Sequence, residues 1–201
     1  MRPSELLAAL HTAEKLKDTT RHCYTSGGRH ESVAEHSWRI ALMAFFLRDE
    51  FPEADMDKVT RMCLIHDLGE CFTGDIPAFG KTAQDESTEE ALLYQWVASL
   101  PSPCREEMRA LYDEMAALET QEAQIYKALD KLEAVISHNE SDISTWEDHE
   151  YDLQLTYGEQ NVAFSPYLTR FVRLSGRNRS TRSHAGVTGA NKIFRSPCTA
   201  K

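Results

Sequence analysis

The chain carries eight histidines, and two of them, His36 and His66, have neighbours that could do chemistry with them. His66 is followed by Asp67, and Glu70 stands four residues beyond the imidazole and three beyond the carboxylate. On a continuous helix those spacings place Glu70 on the face that His66 and Asp67 share. His36 falls in the first turn of an expected earlier helix, and two antiparallel helices can bring such positions together. Further along, Asp130 interrupts an apolar face between Leu129 and Leu132, where a carboxylate is costly to bury unless a cation meets it.

Two imidazoles and two carboxylates make a mixed nitrogen and oxygen donor set, suited to Mn2+, Fe2+, Co2+, Ni2+ or Zn2+ rather than Ca2+. Taken singly, each of these residues is more commonly a hydrogen-bonded core side chain or a solvated one. Their joint pattern points to a site. The sequence contains no P-loop, no G-x-G-x-x-G and no H-E-x-x-H.

The pattern His36 … His66-Asp67 … Asp130 resembles the H…HD…D metal signature of the HD-domain phosphohydrolases. Arg29-His30-Glu31-Ser32-Val33-Ala34-Glu35-His36-Ser37 is similar to the R-x-E-[SN]-V-x-E-H-S segment of the HD-domain 5′-deoxynucleotidases. His66-Asp67-Leu68-Gly69-Glu70 and Thr73-Gly74-Asp75-Ile76-Pro77 resemble their H-D-x-x-E…T-G-D-[IL]-P block. Tyr112-Asp113-Glu114 and Leu129-Asp130-Lys131-Leu132-Glu133 fit the later helices, so the likeness spans residues 5–174.

The resemblance implies an all-α HD-domain helical bundle in which His36, His66, Asp67 and Asp130 hold one divalent metal. Co2+, Mn2+ or Fe2+ is favoured, with Zn2+ or Ni2+ as alternatives. It implies that Glu70 orients or deprotonates the attacking, metal-associated water. Asp75 then contacts the substrate and protonates the departing 5′ oxygen, and Arg21 binds the phosphate. His22 departs from the family, whose bacterial members carry a tryptophan beside that arginine. No histidine lies between Asp67 and Asp130, where dinuclear HD proteins insert more, so one metal is expected. Members of the family tend to be homodimers. The implied activity is removal of the 5′-phosphate from (deoxy)nucleoside 5′-monophosphates. The alternatives are a mononuclear HD phosphohydrolase with another small phosphate substrate, or a non-catalytic metal-binding HD module.

Elementary chemistry agrees with that activity. Phosphomonoester hydrolysis needs charge stabilisation at the phosphoryl oxygens, an aligned water and a proton for the leaving alkoxide. A metal with open positions, two acids with distinct environments and an arginine fork together meet those needs.

The elements that must position these residues read as helices throughout. Leu6, Leu7, Leu10, Ala13 and Leu16 recur at helical spacing, and a Gly27-Gly28 loop follows. Ser32 and Glu35 form a capping box that opens a helix expected to reach Phe51. A third helix is expected from Asp57 to Cys71, and further ones around Leu92–Leu100, Met108–Leu118, Gln121–His138 and residues 146–157. Ser165-Pro166 starts a last helix expected to end at Leu174. No segment alternates with period two for long, and no internal domain boundary is visible.

With 41% hydrophobic and 27% charged residues, 201 residues can bury one core. Against 32 acidic residues stand 22 basic ones, a net charge of −10, which argues against a general nucleic-acid binder. Six of the basic residues and none of the acids fall in residues 175–201, so a domain at 1–174 and a basic, disordered tail are expected. Five irregularly spaced cysteines without a C-x-x-C suggest reduced thiols. No uncharged apolar stretch approaches the ~20 residues of a membrane span, and Met1–Glu5 is unlike a signal peptide. A cytoplasmic protein acting on a small nucleotide, without a membrane or nucleic-acid partner, is expected.

Overall fold

A computed structural model describes residues 1–77 and 79–185. In chain order these form α1 (Pro3–Ala13), the strands β1 (Thr20–Tyr24) and β2 (His30–Ser32), α2 (Val33–Phe46), α3 (Met56–Ile65) and α4 (Glu70–Thr73). There follow α5 (Ala83–Ser99), α6 (Cys104–Ala117), α7 (Gln121–Glu140), α8 (Asp148–Thr156), α9 (Glu159–Val162) and α10 (Pro166–Ala185). No helix among the described residues is long and apolar enough to cross a membrane.

The helical spacing read in the sequence becomes burial most completely where α2, α3 and α7 pack together. Val33, Ile40 and Ala44 come from α2, Val59, Met62 and Cys63 from α3, and Ile125, Leu129, Leu132 and Val135 from α7, all fully buried. Each such Val, Leu or Ile stabilises the fold by roughly 1.5–3 kcal/mol relative to exposure. Leu111, Tyr112 and Met115 of α6 and Leu168 and Val172 of α10 close the flanks. By contrast α1 buries nothing, and Leu6, Leu7 and Leu10 remain exposed.

Caps fix where the central helices begin. The Ser32 hydroxyl accepts from the Glu35 amide at 3.2 Å, and the Glu35 carboxylate accepts from the Ser32 amide at 2.9 Å, the expected reciprocal box. Thr120 caps α7 through the Ala123 amide, and Ser165 caps α10 through the Leu168 amide ahead of Pro166. Each cap satisfies an amide that the helix ladder leaves without a partner.

The structure departs from the sequence expectation in several places. The expected loop after α1 contains an antiparallel hairpin, with Thr20 opposite Ser32 and Tyr24 opposite His30 and a register shift between them. Its turn closes from the Gly28 amide to the Thr25 carbonyl at 2.9 Å, with Gly28 at φ +83°, a conformation glycine adopts without strain. Strands this short carry too few residues to show alternation. The helix expected to reach Phe51 ends at Phe46 in a 3-10 turn over Arg48–Glu50.

The third helix does not run to Cys71 but stops at Ile65. His66 Nδ1 donates to the Cys63 carbonyl at 2.9 Å, and the Tyr112 hydroxyl donates to the Ile65 carbonyl at 2.6 Å. These side chains occupy oxygens that a continuing α-helix would use, and the turn proceeds with tighter bonds such as Glu70 amide to Asp67 carbonyl at 3.0 Å. At the far end α10 runs to Ala185, past the helix end expected at Leu174; residues 186–201 of the expected tail lie outside the described residues.

Because Leu129 touches the centre of this packing and is fully buried, Leu129→Ala is expected to cost about 2–5 kcal/mol. Urea unfolding monitored by circular dichroism would show it as a lower midpoint at unchanged slope.

Candidate metal centre

His36 stands one turn into α2, so the Ser32–Glu35 box sets its height against α7. His66 and Asp67 stand in the turn that ends α3, and Asp130 in the middle of α7. The packing of α2, α3 and α7 makes these three stretches converge. His36 Nε2 lies 3.4 Å from Asp130 Oδ1 and 3.7 Å from Asp67 Oδ2, and His66 Nε2 lies 2.9 Å from Asp67 Oδ2. The expected helical face shared by His66, Asp67 and Glu70 is replaced by this turn, which still directs all three inward.

The far nitrogen of each imidazole is held. His66 Nδ1 faces a carbonyl, which only accepts, so it carries the proton and leaves Nε2 with its lone pair in the neutral ring. His36 Nδ1 is bonded to the Glu133 carboxylate in the same sense. Both Nε2 atoms are buried without a hydrogen-bond partner among the described residues. Two oriented, orphaned imidazole nitrogens beside two carboxylates fit a divalent transition metal, with the outer hydrogen bonds that metal-ligating histidines ordinarily make.

A cavity of about 320 Å³ opens over this cluster, and Arg21, Asp67, Glu70, Asp75 and Asp130 all line it. Arg21 projects from β1, its Nε 3.2 Å from Glu31 Oε2 and its Nη1 3.9 Å from Asp67 Oδ2. Burial opposes its charge, but Asp67 and the other carboxylates outweigh burial and raise its pKa. Burial, then Asp67 and Asp75, push Glu70 up to about 10 in the metal-free protein. Burial also raises Asp75, with Arg21 opposing. A divalent cation would move Glu70 back toward ionisation. His22 lines the same cavity, with Nε2 3.0 Å from Glu150 Oε1. Arg29 stays outside it, paired with Glu35 at 2.8 Å.

Several side chains at this site have no counterpart in the residue-level reading of the sequence. Lys127 and Lys131 stand 3.0 and 3.3 Å from Asp130 Oδ2 and supply the cationic company its burial requires. Lys81 joins them on the cavity wall. Glu133, fully buried, holds His36 and accepts from the Ser137 hydroxyl at 2.6 Å. Its signal was a glutamate on the apolar face between Leu132 and Val135, three residues after Asp130.

The HD domain family matches residues 13–169. The human 5′-deoxynucleotidase HDDC2 is 31% identical over 191 residues, 91% of this chain and 90% of that protein. Its mouse counterpart is 32% identical over 139 residues, 67% of this chain and 69% of its own. Among solved structures, a protein from Magnetospirillum magnetotacticum MS-1 described as a predicted metal-dependent phosphohydrolase superposes with a TM-score of 0.76 at 30% identity, covering 91% of this chain and 95% of that one. The cyanophage S-2L HD phosphohydrolase DatZ, bound to dA and one catalytic Zn2+ ion, shares the fold at a TM-score of 0.58 and 20% identity, covering 85% and 96%.

Burial and Arg21 act to lower the His36 pKa, but the facing Asp130 and Glu133 carboxylates prevail and raise it to about 9 in the metal-free protein. A metal must displace that proton. Below pH 9, Co2+ affinity is therefore expected to fall about tenfold per pH unit, levelling off above it. Absorption titrations with Co2+ on either side of that pH measure this, and a pH-independent affinity would remove His36 from the ligand set.

Proposed function

The chain belongs to the HD domain family, and we propose that it is a cytoplasmic, metal-dependent phosphohydrolase. Its substrates are nucleoside 5′-monophosphates, deoxyribonucleotides foremost, and it cleaves them by direct attack of water. The observation that carries this reading is the pair of buried, unpartnered imidazole nitrogens, His36 Nε2 and His66 Nε2, under a cavity lined by Arg21, Glu70 and Asp75. The names of the human and mouse relatives support the substrate class.

His36, His66, Asp67 and Asp130 would hold one divalent ion, Co2+, Mn2+, Fe2+, Zn2+ or Ni2+ by donor type. When bound, that ion supplies positive charge against the phosphoryl oxygens and makes nearby water more acidic. Arg21 offers a planar fork of donors to the remaining phosphate oxygens. Glu70 takes a proton from the attacking water as its oxygen bonds to phosphorus. The bond from phosphorus to the 5′ oxygen breaks, and Asp75 delivers the proton that makes the product a neutral alcohol. Free phosphate and a nucleoside result, with no covalent enzyme intermediate. Lys81, Lys127 and Lys131 add positive charge to the cavity lining in a chain of net charge −10.

The exposed apolar side chains of α1 and α2, Leu6, Leu7 and Leu10 with Trp38, Phe45 and Phe46, suit burial between two copies. A homodimer is part of this reading. Size-exclusion chromatography with light scattering is expected to give twice the chain mass; a single-chain mass at every concentration would refute it.

Protein reconstituted with Mn2+, Co2+ or Fe2+ is expected to release phosphate from deoxynucleoside 5′-monophosphates. Absence of release from every monophosphate with every metal would sink the assignment. Glu70→Gln is expected to keep its metal, by elemental analysis, and to lose about 10²–10⁴-fold in kcat. An unchanged kcat would take Glu70 out of the mechanism.

A further inference from the structure

Behind the cavity wall, Glu31 on β2 receives three groups at once. Its Oε2 lies 3.2 Å from Arg21 Nε and 3.2 Å from the Cys23 thiol, and its Oε1 lies 3.0 Å from the Ser137 hydroxyl oxygen. Arg21 and Cys23 are two residues apart on β1 and so share one side of the strand. Burial and the neighbouring Glu31 push the Cys23 thiol up to about 12, which keeps it a hydrogen-bond donor. Ser137 comes from α7 and also bonds Glu133, the carboxylate that holds His36. Glu31 is itself buried, at 5% exposure, and fixed from both sides.

The guanidinium has a competing partner. Asp67 Oδ2 stands 3.9 Å from Arg21 Nη1, and that same oxygen faces His36 and His66. Without Glu31, the carboxylate left within ion-pair reach of Arg21 is Asp67, where the guanidinium would cover an oxygen of the candidate metal cluster and turn its donors away from the cavity.

We propose that Glu31 is a positioning residue: its buried ion pair with Arg21, 3.2 Å at Nε, holds the guanidinium off Asp67 and keeps its donors available to an anion in the cavity. The phosphate identity of that anion rests on the phosphohydrolase reading; the grip on Arg21 does not. The hairpin then has a purpose in the site, since β2 carries Glu31 into reach of Arg21 on β1.

A double-mutant cycle with two readouts tests this. In the Zn2+-loaded protein, Glu31→Gln is expected to weaken inorganic phosphate binding, measured by calorimetry, about tenfold, through loss of the charge that pairs with Arg21. In an Arg21→Ala background the same change is expected to have no further effect, because Glu31 acts through Arg21. Zn2+ content should stay at the wild-type level. The Arg21 Nε–H resonance, identified by its loss in Arg21→Ala, is expected to exchange with solvent about tenfold faster in Glu31→Gln. Glu31→Asp, which keeps the charge but shortens the reach, should fall between wild type and Glu31→Gln, and serves alone if the glutamine variant does not fold. An unchanged Nε–H exchange rate, or additive losses in the cycle, overturns the proposal. A wild-type protein that neither binds phosphate nor releases it, yet shows the Nε–H response, refutes the phosphohydrolase reading and leaves the positioning role standing.

Discussion

The contact between Glu133 and His36, both fully buried where α7 meets α2, is the constraint around which the rest of the molecule is arranged. Removing a carboxylate from water costs several kcal/mol unless partners replace the lost hydration. Burial raises the Glu133 pKa, but the His36 hydrogen bond and the Ser137 hydroxyl outweigh it, and the net shift is downward. His36 is thereby locked in one ring orientation, with Nε2 aimed at Asp67 and Asp130. Everything that must face that nitrogen has to come from α3, the turn after it, or α7.

The apolar packing of α2, α3 and α7 makes this arrangement affordable in a small protein. Ile40, Met62, Leu129 and Leu132 exclude water from the cluster's surroundings, and a low local dielectric strengthens each remaining polar contact. The same exclusion makes an unmatched charge costly, and cations stand beside several of the buried acids. Lys127 and Lys131 flank Asp130, Arg21 stands between Glu31 and Asp67, and Arg39 Nη1 lies 3.7 Å from Glu133 Oε1. A chain of net charge −10 thus places four basic side chains, Arg21, Lys81, Lys127 and Lys131, among the acids of its cavity. The overall charge still disfavours long polyanions, whose binding depends on many exposed basic contacts.

Much of the architecture was legible because helices announce themselves by period. The inner face of α7, with Ile125, Leu129, Leu132 and Val135, is the buried one, and the Ser32–Glu35 box opens α2 where its sequence says. Other features resisted for local reasons. The hairpin strands are too short to alternate, and α5 begins at a Thr82–Asp85 box well before its first buried residue, Leu93. The end of α3 at Ile65 depends on the Tyr112 hydroxyl, which lies far away in sequence and could not be assigned to the Ile65 carbonyl from residue types.

By itself the sequence determined which residues are chemically suited to the site and the helical faces that carry them. Side-chain type and a period of 3.6 are local properties. Only the tertiary structure decided how those residues meet. It placed Glu133 behind His36, set Lys127 and Lys131 against Asp130, and turned His66 and Asp67 out of a helix into a tight bend. It also brought Glu31 from a hairpin to Arg21. The physical reason is common to all of them: a buried charge is stable only where its partners are, and partners distant in sequence are supplied by packing.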